Sequence, residues 1–226
     1  MSIRKCLFRI ARSAPMGCLI GKVAQYCPFI VPAHRIHLDN WVAAFHHPVP
    51  SYQNHAVFLP RKWIPSILQM TDEERFLKLL QAAEQVSNTS EWAGRQLLFC
   101  ANAGRRQDVG QLHFHLVSLR DASGYDEMGT EPVLRKMNGC ILCGNGKRFW
   151  LRPVSEEREH SGWKDLFAAA MAFCQEAARE MDLSREGFSI RILKRPDRTA
   201  FEQWVCLDFD RPVTERRTDY ESGSHL

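Results

Sequence analysis

The stretch QLHFHLVSL, residues 111–119, determines how the first half of this chain is interpreted. Alternate side chains of a β-strand project from the same face, so a strand here places Gln111, His113 and His115 together, about 6.5–7 Å apart along the chain. The large apolar residues between them then face the other way, into a core. One polar face and one apolar face predict a strand that lines a pocket.

The two histidines of this strand suggest chemistry on phosphorus. An imidazole with a pKa of about 6.5 is largely neutral at pH 7, so it can attack phosphorus or carry a proton. A histidine pair on a strand can also bind a metal if a further ligand is supplied from elsewhere, and His46, His47 or His55 could supply it. A purely structural pair is the third interpretation. The preceding loop, NAGRRQDVG, offers glycine amides and two arginines to an oxyanion.

Composition limits the class of protein. The chain has 226 residues, a formal net charge of +4 and 45% hydrophobic residues. This mild basic bias suits anionic small molecules such as nucleotides, and alone it does not indicate a specific nucleic-acid binder. No apolar run approaches the roughly 20 residues of a membrane span. The eight cysteines are scattered, and only Cys140 and Cys143 form a close pair, so we expect reduced thiols and a cytoplasmic protein.

The first half of the chain reads as strands around one helix. Strands are predicted at 41–47, 55–62 and 95–103, followed by the opening stretch. A helix lies between the second and third strands, and Thr71 with Glu74 forms a candidate capping box at its start. Residues 120–139 are polar, contain several glycines and are predicted to be a linker.

The second half repeats this order. GCILC and RFWLRPV flank a GNGK turn, a helix begins near Ser161, and strands are predicted at 187–195 and 201–209. RFWLRP can be aligned with HAVFLP, and QWVCL with LHFHL. Each half is therefore a hairpin, a helix and two strands, which indicates an internal duplication; chance similarity of two α+β halves is the alternative.

Several motifs together resemble the histidine-triad (HIT) family. The family signature is three histidines alternating with apolar residues on a strand, preceded by Gln-Ser/Thr-Val, and QDVGQLHFHLV (107–117) is similar to it. FHHPVPSYQNHAVFLPRKW (45–63) is similar, without gaps, to the family's F-H-D-x-x-P-x-x-x-x-H-x-L-V-x-P-K-x-H segment. GCLIGKVA (17–24) resembles the family's opening, and Asn102 with Gly104 matches its N-x-G strand end.

The resemblance implies a HIT-like α+β fold, with an antiparallel sheet and helices, and chemistry on nucleotides without a metal or organic cofactor. His113 matches the nucleophile that forms a covalent nucleotidyl-histidine, His115 the last histidine of the triad, and His55 an upstream histidine near it. Gln111 replaces the first histidine of the triad, and Trp63 another upstream histidine. The implied substrate-binding residues are Asn102, Gly104, Arg105, Arg106, Gln107, Asp108, Val109, His46 and His47.

The implied activity is hydrolysis of a P–N or P–O bond in a nucleoside 5′-phosphate derivative, a phosphoramidase being one form of it. A nucleotidyltransferase or phosphorylase of the same family shares the first step and is an alternative. A nucleotide-binding module without turnover is the second alternative, because Asp108 stands where the family has Ser or Thr, and His47 where it has an acidic residue.

The predicted organisation is two HIT-like modules in one chain, forming an intramolecular pseudo-dimer. Residues 17–119 are the catalytic domain and 140–212 a degenerate second module, which has Gln203, Val205 and Leu207, or Trp204 and Cys206, where the triad belongs. Residues 1–16 are a basic arm, with import into an organelle left open, and 213–226 a flexible tail. We expect a monomer of this kind, with a homodimer as the alternative.

Overall fold

Ten β-strands form one sheet in the computed structural model, which describes residues 33–120, 131–154 and 161–213 together with residues 19, 22 and 23. All of their pairings are antiparallel. The strands are β1 (Arg35–Leu38), β2 (Val42–His46), β3 (His55–Pro60), β4 (Leu97–Gly104), β5 (Phe114–Ser118), β6 (Val133–Met137), β7 (Cys140–Gly144), β8 (Arg148–Pro153), β9 (Gly187–Lys194) and β10 (Val205–Phe209).

The order of the strands repeats between the halves of the chain. Across the sheet the order is β1-β2-β3-β5-β4 and then β9-β10-β8-β7-β6. Counted from the outer edge of the sheet inwards, each half has its first three strands in chain order and then its last two in exchanged order. The halves meet where β4 pairs with β9, from Leu97 opposite Lys194 to Gly104 opposite Gly187. The sheet is therefore continuous across the junction of the two halves.

Two short strands correct the sequence interpretation. β1 was not predicted, and β6 lies inside residues 120–139, which were predicted to be a linker. Both strands are at the edges of the sheet, each contains a register irregularity, and neither contains a buried residue. An edge strand with no buried face has no apolar alternation, so periodicity does not reveal it.

In the ranges 33–120, 131–154 and 161–213, two α-helices cover one face of the sheet: α1 (Glu73–Ser87), which follows a 3-10 helix at Ile67–Gln69, and α2 (Ser161–Arg179). The carboxylate of Asp72 caps α1 by accepting a hydrogen bond from the amide of Arg75 at 3.1 Å. The cap is thus one residue after the predicted Thr71, and Glu73 with Glu74 in the first turn complements the helix dipole.

Stacked aromatic rings join the helices to the sheet. Phe76 of α1 stacks on Phe167 of α2 with ring centroids 4.5 Å apart, and Phe99 of β4 stacks on Phe114 of β5 at 4.7 Å. Phe114 therefore belongs to the helix-covered face, and its neighbour His115 projects from the opposite face. This alternation, predicted for the opening stretch, divides the sheet into a core face and a pocket face.

Some predictions fall outside the described residues. These are the basic arm at 1–16, most of the 17–24 segment and all of the 213–226 tail except residue 213. Among the residues that are described, no helix has the length and apolarity needed to cross a membrane.

Two glycines allow the halves to approach closely at the end of β4 and the start of β9. Gly104 has φ +61°, and a Cβ there would lie 2.4 Å from the carbonyl oxygen of Glu186. A Cβ on Gly187 would lie 2.6 Å from the carbonyl oxygen of Ala103. The predicted substrate-binding residue Gly104 thus has a packing role: it admits the backbone of the second half.

We expect Gly104→Ala to lower the free energy of unfolding by about 3 kcal/mol, since the new Cβ meets a backbone carbonyl in addition to the left-handed φ. Gly94→Ala is the matched control, because Gly94 has φ +71° but no atom within 4 Å of an added Cβ. It should cost about 1–2 kcal/mol. Urea unfolding of both variants measures the difference, and equal losses would contradict the close-approach explanation.

Candidate active site

Two adjoining cavities lie on the pocket face beside the histidines. The smaller has a volume of about 250 Å³ and is walled by apolar residues, among them Phe45, Val57 and Leu59. The larger has a volume of about 520 Å³. Four residues line both cavities, so the two meet there: His47, Asn102, Asp108 and His115.

Gln111 holds the segment that leads into β5. The strand begins only at Phe114, and Gln111 precedes it with a fully buried side chain. Its Oε1 accepts from the amide of Ile64 at 3.3 Å, and its Nε2 donates to the carbonyls of Lys62 and Leu112 at 3.3 and 3.2 Å. The side chain that replaces the first histidine thus joins the histidine segment to residues 62–64 by accepting from and donating to backbone groups, and it makes no hydrogen bond to a histidine ring among the described residues.

His113 is oriented by the backbone of Gln111. Its Nδ1 lies 2.9 Å from that carbonyl oxygen, which can only accept, so Nδ1 carries the proton and Nε2 keeps its lone pair. Burial lowers the pKa of His113, opposed by this hydrogen bond and by the charge of Asp108. A neutral ring with a free Nε2, lining the smaller cavity, is the state that a nucleophile requires.

A hydrogen-bond chain fixes His55 and His115 in defined tautomers. The amide of Ser51 donates to Nδ1 of His55 at 3.3 Å, so His55 carries its proton on Nε2. That Nε2 is 2.9 Å from Nδ1 of His115 and donates to it, which leaves the proton of His115 on Nε2. Burial lowers the pKa of His55 to about 4 and that of His115 to about 2, and neighbouring histidines add to both shifts.

His47 completes the cluster, and His46 does not. The ring of His47 stacks on His55 with centroids 4.1 Å apart and accepts from the amide of Val49 at 3.1 Å. One ligand atom each of His47, His55 and His115 lies within 4.8 Å of the others, so this trio could hold a metal ion. His46 lines the smaller cavity but has its Nε2 3.6 Å from a carboxylate oxygen of Glu91.

The loop after β4 contains residues predicted to bind phosphate, and their side chains point in different directions. Arg105 is exposed and lines neither cavity. Gln107 turns away from both, and its Nε2 donates to the carbonyls of Pro65 and Val109. Asp108 and Val109 do reach the smaller cavity. Only part of the loop is therefore available to a ligand, and Gln107 serves to fix its shape.

Arg106 lines the smaller cavity but its guanidinium is engaged by the second half of the chain. It contacts Asp208 at 3.0 Å and Asp210 at 2.8 Å, and its Nη1 donates to Oγ of Ser189 at 2.9 Å. Its guanidinium is thus directed at residues of the second half, where Asp208 also pairs with Arg191. As a phosphate clamp this arginine is accordingly weaker than the loop sequence suggested.

The second half contributes residues that the sequence interpretation missed. Ser189 Oγ donates to Oδ1 of Asn102 at 2.7 Å, which orients the amide with Nδ2 as its donor. Arg191 lines the larger cavity and pairs with Asp208 at 2.6 Å. Both lie on β9, directly opposite Asn102 and Cys100 of β4. No local motif marks them, because only the pairing of β4 with β9 brings them to the site.

Comparisons with known proteins agree with this architecture. The family model of the HIT domain matches residues 30–122. A Borreliella burgdorferi protein described as an uncharacterized HIT-like protein is 29% identical over 100 residues, covering 41% of this chain and 72% of that protein.

Two solved structures from Arabidopsis thaliana have similar folds. An ADP-glucose phosphorylase with bound ADP-glucose superposes with a TM-score of 0.57 at 11% identity, covering 84% of this chain and 81% of the other. A GalT-like protein gives a TM-score of 0.57 at 12% identity, covering 85% and 84%. Both similarities extend over both halves of the sheet, which confirms the predicted HIT-like α+β fold.

We expect the free energy of unfolding to fall as the pH is lowered from 7 to 5. In this range a histidine of the unfolded chain binds a proton, while the folded pKa values of His55, about 4, and His115, about 2, keep both rings neutral. The unfolded state therefore gains protons that the folded state does not. Each ring contributes up to about 1.4 kcal/mol per pH unit.

Urea unfolding at several pH values, compared between the natural protein and His55→Gln/His115→Gln, tests this expectation. The variant should show a shallower dependence on pH, since both titrating rings are gone. An unchanged slope would mean that the two histidines do not resist protonation in the folded protein.

Proposed function

We propose that this protein, which carries a HIT domain at residues 30–122 and in that part belongs to the histidine-triad family, transfers the nucleotidyl group of a nucleoside 5′-phosphate derivative to His113 and then to water. The observation that carries the proposal is the opposite polarity of two neighbouring rings. His113 presents a lone pair at Nε2, and His115 presents a proton at Nε2. One can attack phosphorus while the other donates to a phosphate oxygen.

The first step forms a bond between Nε2 of His113 and the α-phosphorus and breaks the bond to the leaving group, which departs with the electron pair. The ring becomes a cation while it holds phosphorus, and the carbonyl of Gln111 at Nδ1 stabilises that charge. In the second step water attacks the phosphorus and releases a proton to solvent, while the N–P bond breaks and His113 leaves with the electron pair as a neutral imidazole. One hard displacement is thereby divided into two easier ones.

Donors around the junction of the cavities suit the charge that develops on the phosphoryl oxygens. Nε2 of His115 carries a proton, and Nδ2 of Asn102 is oriented as a donor by Ser189. Such fixed donors stabilise a transition state without reorganising during the reaction. Burial lowers the pKa of both His113 and His115, which favours neutral rings and keeps the lone pair on Nε2 of His113 available for attack.

The two cavities divide the substrate. The smaller, apolar cavity of about 250 Å³ suits the nucleoside, because Phe45, Val57 and Leu59 offer apolar contact to a base. The larger cavity, with Ser51, Tyr52 and Arg191 in its wall, takes the leaving group. A neutral His115 is a poor acid, so groups that leave as stable phosphate anions are favoured over groups that must be protonated.

A nucleotidyltransferase or phosphorylase is the second candidate, and the 520 Å³ volume of the leaving-group cavity favours it. A cavity of this size can admit an acceptor other than water after the first product departs. The similarity in fold to an ADP-glucose phosphorylase accords with this candidate. Both candidates share the nucleotidyl-His113 intermediate and differ only in the second acceptor.

We also propose that residues 140–212 are a degenerate second module that supports the site without chemistry of its own, and that the chain acts as a monomer. The strand register supports this division. His115 lies opposite Cys100, and Cys206 lies opposite Arg191, the residue that pairs with Cys100. Cys206 and Trp204 thus correspond to His115 and His113. Burial raises the pKa of the Cys206 thiol to about 12, and the indole nitrogen of Trp204 is a donor only, so neither offers a nucleophile or base at pH 7.

The test is incubation with nucleoside phosphoramidates, dinucleoside polyphosphates and nucleoside-diphosphate sugars, with and without inorganic phosphate, while intact mass is followed for a nucleotidyl adduct. His113→Ala should lose the adduct and reduce turnover by about a thousandfold or more. His115→Ala should slow turnover by about 100-fold and retain some adduct. His37→Ala, which removes a histidine of β1 that lines neither cavity, is the matched control.

Chelation separates the remaining possibilities. The proposed reaction uses no metal, so turnover should persist in EDTA. Activity that is lost in EDTA and restored by zinc would replace the proposal with a metal-dependent enzyme built on His47, His55 and His115. Binding of nucleotides without adduct or turnover would indicate an inactive binding module.

A further inference from the structure

The position in the second half that corresponds to the catalytic histidines is filled by an apolar cluster. Cys143, Trp150 and Cys206 are at most 2% exposed and pack with Ile141 and Trp204. Nε1 of Trp150 donates to a carboxylate oxygen of Glu131 at 2.9 Å, which fixes the ring. The large indole occupies the pocket face where the first half has Val57, the residue opposite His115. A catalytic pocket is thereby excluded at this place.

A separate cleft of about 520 Å³ remains beside the cluster. It lies along the loop that joins β9 to β10, the counterpart of the loop that joins β4 to β5 and leads to His113. The cleft is lined by Arg152, Pro153, Arg195, Arg198, Thr199, Ala200, Phe201, Glu202, Gln203 and Trp204. None of these residues lines either cavity of the candidate active site.

The charge in this cleft is positive. Three arginines line it against one carboxylate, that of Glu202, which pairs with Arg195. Arg198 is 3.8 Å from Asp197, with both side chains at least 70% exposed, so this pair neutralises little. The guanidinium of Arg152 lies 5.7 Å from the centroid of the Trp204 ring. Guanidinium groups match phosphate oxygens in geometry and charge, and an indole offers a surface to a base.

The loop that forms the cleft is held in place by the first half of the chain. Nδ2 of Asn88 donates to the carbonyl of Thr199 at 2.8 Å, and the amide of Phe201 donates to Oε1 of Glu84 at 3.2 Å. The ring of Phe201 is buried in the main core. These anchors hold the backbone of the loop on either side of Ala200, close to Arg198 and Trp204, before any ligand arrives, which lowers the entropic cost of ordering the loop on binding.

We propose that this cleft is a second, non-catalytic binding site for a nucleoside diphosphate or a closely similar pyrophosphate-bearing small molecule. Arg152 and Arg198 contact the phosphates, and Trp204 lies beside the base. A cleft of about 520 Å³ is of the size that such ligands fill. The cleft does not contain His113, so the binding site and the proposed reaction can be tested separately.

The experiment uses the full-length His113→Ala variant, which cannot turn ligand over, titrated with ADP by calorimetry. We expect two molecules bound per chain when both sites fill. Adding Arg152→Ala/Arg198→Ala should weaken one of the two by about tenfold or more and leave the other unchanged. Inorganic pyrophosphate should compete with ADP for the site that the arginine substitutions weaken.

Matched variants keep the outcome interpretable. Lys136→Ala/Arg179→Ala removes two exposed positive charges outside the cleft and should leave both sites intact. Arg198→Glu changes one exposed side chain, so it tests the site even if loss of Arg152 impairs folding. ADP binding that is insensitive to the arginine substitutions, whether one or two molecules bind per chain, would overturn the proposal. Absence of a nucleotidyl adduct on His113 in the unsubstituted protein would instead overturn the proposed reaction.

Discussion

The pairing of β4 with β9 is the interaction on which the rest of this structure depends. It joins two five-stranded halves into one sheet and hides a backbone edge that each half would otherwise expose. It also brings Ser189 to Asn102 and Arg191 to Cys100, so the pocket face beside the histidines is shared between the halves. The glycines at its end allow the backbones to approach, and Arg106 reaches across to Asp208 and Asp210.

Backbone groups set the chemistry of the histidine cluster. The carbonyl of Gln111 sets the tautomer of His113, and the amide of Ser51 sets that of His55. The hydrogen bond from His55 to His115 then sets the tautomer of His115. The rings therefore differ in what they present at Nε2, although they are the same residue type in similar surroundings. Neither setting depends on a third triad histidine. Gln111 serves through its main-chain oxygen at His113 and through its side chain at residues 62–64.

Local patterns predicted much of the fold, because the strands and helices that build the core carry their own periodicity. The alternation of His113, Phe114 and His115 between pocket and core followed from the sequence alone, as did the repeated order of elements. The edge strands β1 and β6 could not be predicted in this way, because a strand that pairs on one side and has no buried face shows no apolar alternation. The engagement of Arg106 by the second half, and the turning of Gln107 towards Pro65, depend on contacts far along the chain, which spacing does not encode.

The continuous sheet has a consequence for attempts to isolate the catalytic half. A fragment ending after β5 would present β4, an eight-residue strand with an alternating buried pattern, as an open edge in solution. Two such fragments could pair edge to edge across a true two-fold axis, each supplying to the other the strand that β9 now supplies. In the intact chain the second half supplies that strand, and where β5 carries His115 its strand β10 carries Cys206.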